Sequence, residues 1–204
     1  MEFKKYDHSK EEKIILDYWI KNNCFKPKKG KLNKSFSVVI PPPNVTGRLH
    51  MGHALNNSLQ DVLVRFKRMS GFDTLWQPGT DHAGIATQAV VEKNLEKQNI
   101  NKNQIGRENF IKRVWEWKEE SGGIILDQLK KLGCSCDWSR TRFTMDKDLS
   151  EAVIKVFVDL YNKNLIYKDK KLVNWDTKLQ TAISDLEVLQ KEVQSNLYYI
   201  DYQI

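Results

Sequence analysis

Several features that would place a protein outside the cytosol are missing from this chain. No apolar run approaches the roughly 20 residues that a bilayer-spanning helix needs. Residues 1–13 are charged throughout and lack the apolar centre of a secretory signal. The three cysteines, Cys24, Cys134 and Cys136, are too few and too irregularly spaced for a disulfide framework. We therefore expect a cytoplasmic protein with free thiols and no membrane segment.

The composition is that of an ordinary soluble domain. Cys134 and Cys136 lack the two-residue spacer and the second ligand pair of a structural zinc site, so no metal site is predicted. The 204 residues, 40% hydrophobic and 29% charged, fit one compact domain or slightly more. The net charge of +7 suits a polyanionic partner, but it also fits ordinary lysine-rich usage.

The most informative pattern begins at Phe36. Phe36–Ile40 is short, apolar and β-branched, which predicts a buried strand, and three consecutive prolines then end it. Apolar residues follow at helical spacing, and Gly71 is placed as the helix stop. These residues are Leu55, Leu59, Val62, Leu63, Phe66 and Met69. The segment therefore predicts a strand, a proline-stiffened loop and a helix.

His50 and His53 lie where this predicted helix opens. The first turn of a helix exposes unpaired N–H groups and favours anions, and two histidines three residues apart can both donate to one phosphate. Gly52 has no side chain, so a flat ligand ring could rest against the backbone. The spacing alone is also compatible with two surface histidines beside a helix start.

A second strand and helix follow directly. Phe72–Gln77 predicts a strand, residues 79–84 a loop, and residues 85–98 a helix, an order typical of a parallel sheet. The two loops would then lie side by side at one sheet edge, where ligands of α/β proteins bind. Asp81 and His82 would face Asn44 and the two histidines. Alternatively, Asp81 caps the helix that follows it.

Weaker patterns predict the remaining elements. Ser9 and Glu12 form a capping-box pattern before a short helix. Residues 106–133 predict a helix interrupted at Gly122-Gly123, with its tryptophans in the core, and residues from Leu149 to Leu160 predict another helix. Residues 172–175 predict a strand, and alternation from Tyr198 to Ile204 predicts a half-buried one.

These residues carry a clear resemblance. His50-Met51-Gly52-His53 resembles the His-Ile-Gly-His signature of class I aminoacyl-tRNA synthetases, with methionine in place of isoleucine. The string PPPNVTGRLHMGHALNNSLQDVLVRFKRMSGFDTLWQPGTDHAGIATQAVVEK is similar to the valine-specific branch of that family. GRENFIKRVWEWKEESGG, DWSRTRFTMD and LVNWDTKLQTAISDLEV match it further. The relatives for isoleucine and leucine carry a Gly-Trp-Asp type of string where this chain has GTDHAG.

The resemblance implies an α/β fold and a domain division. Residues 36–183 would form the first half of a Rossmann-like class I catalytic domain, with parallel strands, flanking helices and a helical insertion. Residues 1–35 would add an N-terminal helix and a basic connector. Residues 184–204 would supply the strand that leads into the inserted editing domain.

The resemblance also implies a reaction, in which valine is activated by ATP to valyl-adenylate and then transferred to its tRNA. The implied ATP-binding set is His50, Gly52, His53 and Asn56, of which the two histidines are catalytic. The implied amino-acid-binding set is Pro41, Pro42, Asn44 and Asp81. Mg²⁺ would accompany ATP, and the full-length enzyme would be a monomer.

The family's second signature, Lys-Met-Ser-Lys-Ser, does not occur. Residues 67–71 are slightly similar to it, but they end the central helix and lie too early in the chain. We expect the 204 residues alone to be inactive. Three alternatives stay open: an isoleucyl-type synthetase, a small nucleotidyltransferase with the same histidine turn, and a non-catalytic truncated remnant.

Overall fold

The computed structural model describes residues 6–28 and 34–203, so most of the predicted basic connector lies outside the described residues. The chain divides after Lys155 into two compact units. In the first unit the elements are α1 (His8–Lys21), β1 (Ser35–Val39), α2 (Met51–Met69), β2 (Asp73–Gln77), β3 (Gly79–Thr80), α3 (Ile85–Glu96), α4 (Lys102–Lys131) and β4 (Arg142–Phe143). Helix α5 (Lys147–Asn162) crosses the division, and β5 (Asn174–Asp176) and β6 (Thr181–Ile183) belong to the second unit. The predicted domain boundaries at 35/36 and 183/184 stay predictions.

The first unit confirms the predicted parallel pairing. β1 and β2 run parallel in a register from Ser35 opposite Asp73 to Val39 opposite Gln77, with α2 as the connection between them. β3 pairs in parallel with β4. Parallel strands flanked by helices make this unit an α/β fold, as the sequence pattern predicted.

The core of this unit lies between the sheet, α2 and α4. Its buried members are Ile40, Val45, Val64, Trp76, Ile125, Leu129, Cys134, Cys136 and Phe143. Burial raises the pKa of Cys134 to about 12 and that of Cys136 still further, and the nearby Asp61 carboxylate acts in the same direction. Cys24 is exposed, and all three cysteines are free thiols, as predicted.

Helix α2 is present as predicted, but its apolar stripe is not part of the core. The six apolar residues that predicted the helix are 56% to 88% exposed. Asn57 and Val64 are the buried residues of this helix instead. Gly71 follows the helix with a φ of 82°, the left-handed conformation that glycine adopts without strain.

Helix α4 corrects two predictions. It runs without a break through Gly122-Gly123, and its one non-helical residue is Gly106, with a φ of 74°. Gly122 is buried against the loop after β1, where an added methyl group would lie 3.8 Å from Val45. That distance is an ordinary van der Waals contact, and the helix accommodates both glycines at a helix-propensity cost of about 1 kcal/mol per residue. Trp115 is not a core residue either, because it is about two-fifths exposed.

The N-terminus of α1 differs from the predicted capping box by two residues. Asp7 is the N-cap, and its carboxylate accepts hydrogen bonds from the backbone N–H and the hydroxyl of Ser9. An aspartate at the N-cap accepts a hydrogen bond from an otherwise unpaired backbone N–H of the first turn, as a serine cap would. The capping-box prediction at Ser9 and Glu12 was therefore wrong, although the helix is present.

The second unit contains the end of α5, a small hairpin and a segment without regular secondary structure. β5 and β6 pair antiparallel, with Asn174 opposite Ile183, so the predicted strand at 172–175 is shifted by about two residues. The alternating segment from Tyr198 does not form a strand within residues 189–203, and its aromatic side chains are exposed. A strand is stabilised by a pairing partner, and no described strand pairs with this segment. That strand prediction was wrong.

Candidate functional site

The two histidines lie together at the N-terminus of α2 and cap the helix reciprocally. His50 is the N-cap, and its Nδ1 accepts a hydrogen bond from the backbone N–H of Gly52 at 3.1 Å. The backbone N–H of His50 donates in turn to Nδ1 of His53 at 3.2 Å. The two ring centroids are 3.9 Å apart. The pairing of His50 and His53 therefore has a structural role of its own.

These hydrogen bonds also fix where the ring protons lie. A ring nitrogen that accepts a hydrogen bond carries no proton, so each neutral ring is protonated at Nε2. Neither Nε2–H has an acceptor among the described residues. Burial lowers the pKa of His53, and the positive charge of a protonated His50 lowers it further. When the rings are neutral, the helix terminus therefore presents two Nε2–H donors together with its own backbone donors.

The hydrogen-bonded histidine pair itself favours glycine at position 52, whether or not a ligand binds there. A methyl group at this position would lie 2.9 Å from Cε1 and 3.1 Å from Nδ1 of His50. A side chain there would displace the imidazole and break the cap. The absence of a side chain at Gly52 thus serves the histidine pair as well as the predicted ligand ring.

The second predicted group forms at the carboxyl end of the β1–β2 sheet. The backbone N–H of Asp81 donates to the carbonyl of Pro43 at 2.8 Å, and that of Val45 donates to the carbonyl of Asp81 at 2.9 Å. Asn44 and Asp81 thereby form a parallel bridge that continues the strand pairing. The predicted side-by-side arrangement of the two loops is confirmed. Pro41 and Pro42 lie exposed in the same loop.

Asp81 does not cap α3. The N-cap of that helix is Gly84, which makes no side-chain cap hydrogen bond, so the capping alternative was wrong. The Asp81 carboxylate instead accepts a hydrogen bond from the hydroxyl of Thr144 at 3.0 Å. Nothing in the spacing of the sequence pointed to Thr144, which lies 63 residues away.

His50 and the loop that carries Asp81 line different cavities. His50 lines one with Leu49 and Gln128, whereas His82 lines a cleft of about 280 Å³. The lining of this cleft is mostly apolar and includes three aromatic residues, and the cations Arg107 and Lys118 also line it. The aromatic members are Phe110, Trp115 and Phe143. Proximity of Asp81 to the histidine pair stays a prediction.

Asn56 lies one turn after His53 on the exposed side of α2, where its side-chain oxygen accepts a hydrogen bond from Gln60. None of the described helices is long and apolar enough to cross a membrane. Among residues 6–28 and 34–203, there is no group of three or more His, Cys, Asp or Glu side chains that could hold a metal ion.

Comparison with known proteins identifies the family. The model of tRNA synthetases class I (I, L, M and V) matches residues 14–202. The chain belongs to this family. Its structure is similar to that of a class I synthetase, the LeuRS of Agrobacterium radiobacter K84 in its ternary complex with tRNA and LeuAMS. The TM-score is 0.73 at 25% identity over 91% of this chain and 22% of that one. The predicted Rossmann-like class I fold is thereby confirmed.

Among curated class I synthetases, the chain is similar to valine–tRNA ligases. It is 71% identical over 200 residues to that of Pelagibacter ubique, and 61% identical over 206 residues to that of Agrobacterium fabrum. Each match covers 98% of this chain but only 23% and 22% of the relative. The chain therefore spans between a fifth and a quarter of the length of these relatives.

Proposed function

We propose that this chain is the first part of the catalytic domain of a valine–tRNA ligase, which activates valine with ATP and transfers it to its tRNA. The observation that carries the proposal is the histidine pair at the start of α2, with both Nε2–H groups unpaired among the described residues. The similarity to valine–tRNA ligases supports the choice of amino acid. A monomeric full-length enzyme in the cytoplasm is part of the same proposal.

In this reaction the carboxylate of valine attacks the α-phosphate of ATP, which gives valyl-adenylate and releases pyrophosphate. Such phosphoryl chemistry depends mainly on positioning and on stabilisation of negative charge in the transition state. His50 and His53 would donate from Nε2 to the phosphates, beside the positive end of the helix dipole. Neutral donors can do this without the cost of holding two adjacent positive charges. Gly52 and Asn56 complete the proposed ATP-binding set.

The amino acid would bind at the Asn44–Asp81 bridge. Asp81 would pair with the ammonium group of valine, and Pro41 and Pro42 would form a rigid wall suited to a small branched side chain. The carboxylate of Asp81 is about one-third exposed, so it is accessible to a ligand. The described residues offer no group of side chains that could hold magnesium, so Mg²⁺ would bind through the phosphates of ATP.

A chimera tests the proposal directly. This chain replaces the matching segment of the Pelagibacter ubique valine–tRNA ligase, and valine-dependent ATP–pyrophosphate exchange is measured. His53→Ala should lower the exchange rate by roughly 10²- to 10³-fold, as removal of one oxyanion donor does. An undiminished rate would remove His53 from the mechanism.

The matched control separates catalysis from helix capping. His53→Glu retains an acceptor for the N–H of His50, as in an ordinary capping box, but it has no donor for phosphate. We expect this variant to keep its melting temperature and to lose exchange as His53→Ala does. Full exchange activity in His53→Glu would show that the histidine matters only as a cap.

A further inference from the structure

Thr144 is held against both Asp81 and His82 by backbone and side-chain contacts. Its backbone N–H donates to the carbonyl of Thr80 at 3.2 Å, which extends the pairing of β3 with β4 and fixes the position of the residue. Its Oγ1 lies 3.0 Å from Oδ1 of Asp81. The same oxygen lies 2.9 Å from the backbone nitrogen of His82 and 2.6 Å from Nδ1 of that ring.

The single hydroxyl proton of Thr144 determines the direction of these three hydrogen bonds. A threonine hydroxyl has one proton to donate and two lone pairs that accept. An ionised carboxylate can only accept, so the hydroxyl proton goes to Oδ1 of Asp81. The lone pairs of Thr144 then face the backbone N–H and Nδ1 of His82. Nδ1 must therefore carry a proton, and its distance of 3.3 Å from Oδ1 of Asp81 fits this assignment.

We propose that Thr144 is a positioning residue that orients Asp81 and fixes His82 as the Nδ1–H tautomer. The hydroxyl occupies Oδ1, so Oδ2 of Asp81, which accepts no hydrogen bond from the described residues, is left for a ligand. In the neutral ring, Nε2 of His82 is then an unprotonated acceptor at the aromatic cleft. The part of this inference that concerns valine rests on the proposed function; the tautomer does not.

The tautomer is measurable on the 204-residue chain itself. Nitrogen-15 chemical shifts of the ring distinguish Nδ1–H from Nε2–H, and the chain has only four histidines to assign. We expect neutral His82 to be protonated at Nδ1, in contrast to His50 and His53. An Nε2–H signal for wild-type His82 would overturn the proposal without any variant.

Two substitutions at Thr144 then test whether its hydroxyl sets the tautomer of His82. Thr144→Val keeps the shape of the side chain without its hydroxyl, and His82 should shift towards the Nε2–H form that prevails in a free histidine side chain. Thr144→Ser restores the hydroxyl and should restore the Nδ1–H signal. A Thr144→Val spectrum like the wild type, or a Thr144→Ser spectrum like Thr144→Val, would contradict the assignment.

The role of Thr144 in binding is tested in the chimera with the Pelagibacter ubique enzyme. Loss of a hydrogen bond to a charged group should raise the KM for valine roughly tenfold or more in Thr144→Val. The KM for ATP should change little, and Thr144→Ser should recover most of the loss. An unchanged KM for valine would overturn the positioning role. Absence of exchange in the unsubstituted chimera would refute the proposed function, while the nitrogen-15 measurement would still decide the tautomer.

Discussion

Asp61 is the residue whose substitution tests the packing of the first unit most sharply. Its Oδ1 accepts hydrogen bonds from the backbone N–H of Ser135 at 3.0 Å and from the Ser135 hydroxyl at 2.5 Å. Its Oδ2 accepts from Nε of Arg65 at 2.7 Å. Ser135 is fully buried, and Arg68 donates to its hydroxyl and carbonyl oxygens. Asp61 thus fastens the loop after α4 to helix α2.

The loss of stability expected for Asp61→Ala follows from the buried donors that the substitution leaves without an acceptor. The N–H and hydroxyl of Ser135 would each lose a buried acceptor, at about 1–3 kcal/mol for each stranded donor. The ion pair with Arg65 adds little, because that side chain is 36% exposed and a pair of this kind contributes about 0–1 kcal/mol. We expect the free energy of unfolding to fall by about 3–4 kcal/mol.

The matched variant keeps the acceptor and removes the charge. Asp61→Asn retains an oxygen for both donors of Ser135, but it loses the attraction to Arg65 and turns two charge-assisted hydrogen bonds into weaker neutral ones. Its cost should therefore be about 1–2 kcal/mol. Urea unfolding followed by tryptophan fluorescence is a suitable assay, because Trp76 is fully buried. A loss of stability in Asp61→Ala that is smaller than or equal to that in Asp61→Asn would show that the two donors of Ser135 do not depend on the Asp61 oxygen.

Three other residues give testable outcomes. Because the pKa of His53 is lowered below its ordinary value of 6.5, the unfolded chain binds this proton more readily, so stability should fall as the pH drops from about 6.5 through the folded-state pKa. An NMR titration should find that low pKa, and His50→Ala should raise it. Gly123→Ala, with open space around it, should stabilise α4 by about 0.5–1 kcal/mol. Gly79→Ala should lower the melting temperature, because its methyl group would lie 2.8 Å from the carbonyl oxygen of Arg142.

The parts of the fold that the sequence predicts well are those set by local chemistry. Three prolines after a β-branched run and an apolar helical pattern before Gly71 closely indicate the bounds of β1 and α2. The expected burial of the strand was wrong, because no residue of β1 is buried and Ile40 just after it is. The histidine pair belongs to this local class too. The parallel pairing followed from the order of elements, because consecutive strand–helix units form parallel sheets.

The parts that the sequence did not predict depend on contacts between distant segments. Helix α4 continues through Gly122, where the loop after β1 packs against it, and the ring N–H of Trp117 holds that loop by donating to the carbonyl of Val45. Thr144 reaches Asp81 through the pairing of β3 with β4, a two-residue ladder too short to leave a sequence pattern. The alternation of side chains after Tyr198 is a local signal for a strand. A strand forms only when another strand supplies its backbone hydrogen bonds, and the local sequence does not show whether such a partner is present.

Because two of the three cysteines are buried and one is exposed, the reactivity of the native thiols can report the unfolding of the chain. Only the thiolate is nucleophilic, so an alkylating reagent near neutral pH will leave Cys134 and Cys136 almost untouched in the folded state. Cys24 is open to solvent and reacts in either state. Mass spectrometry after a brief pulse of reagent would therefore show one adduct on folded molecules and three on unfolded ones, with no engineered label or added dye.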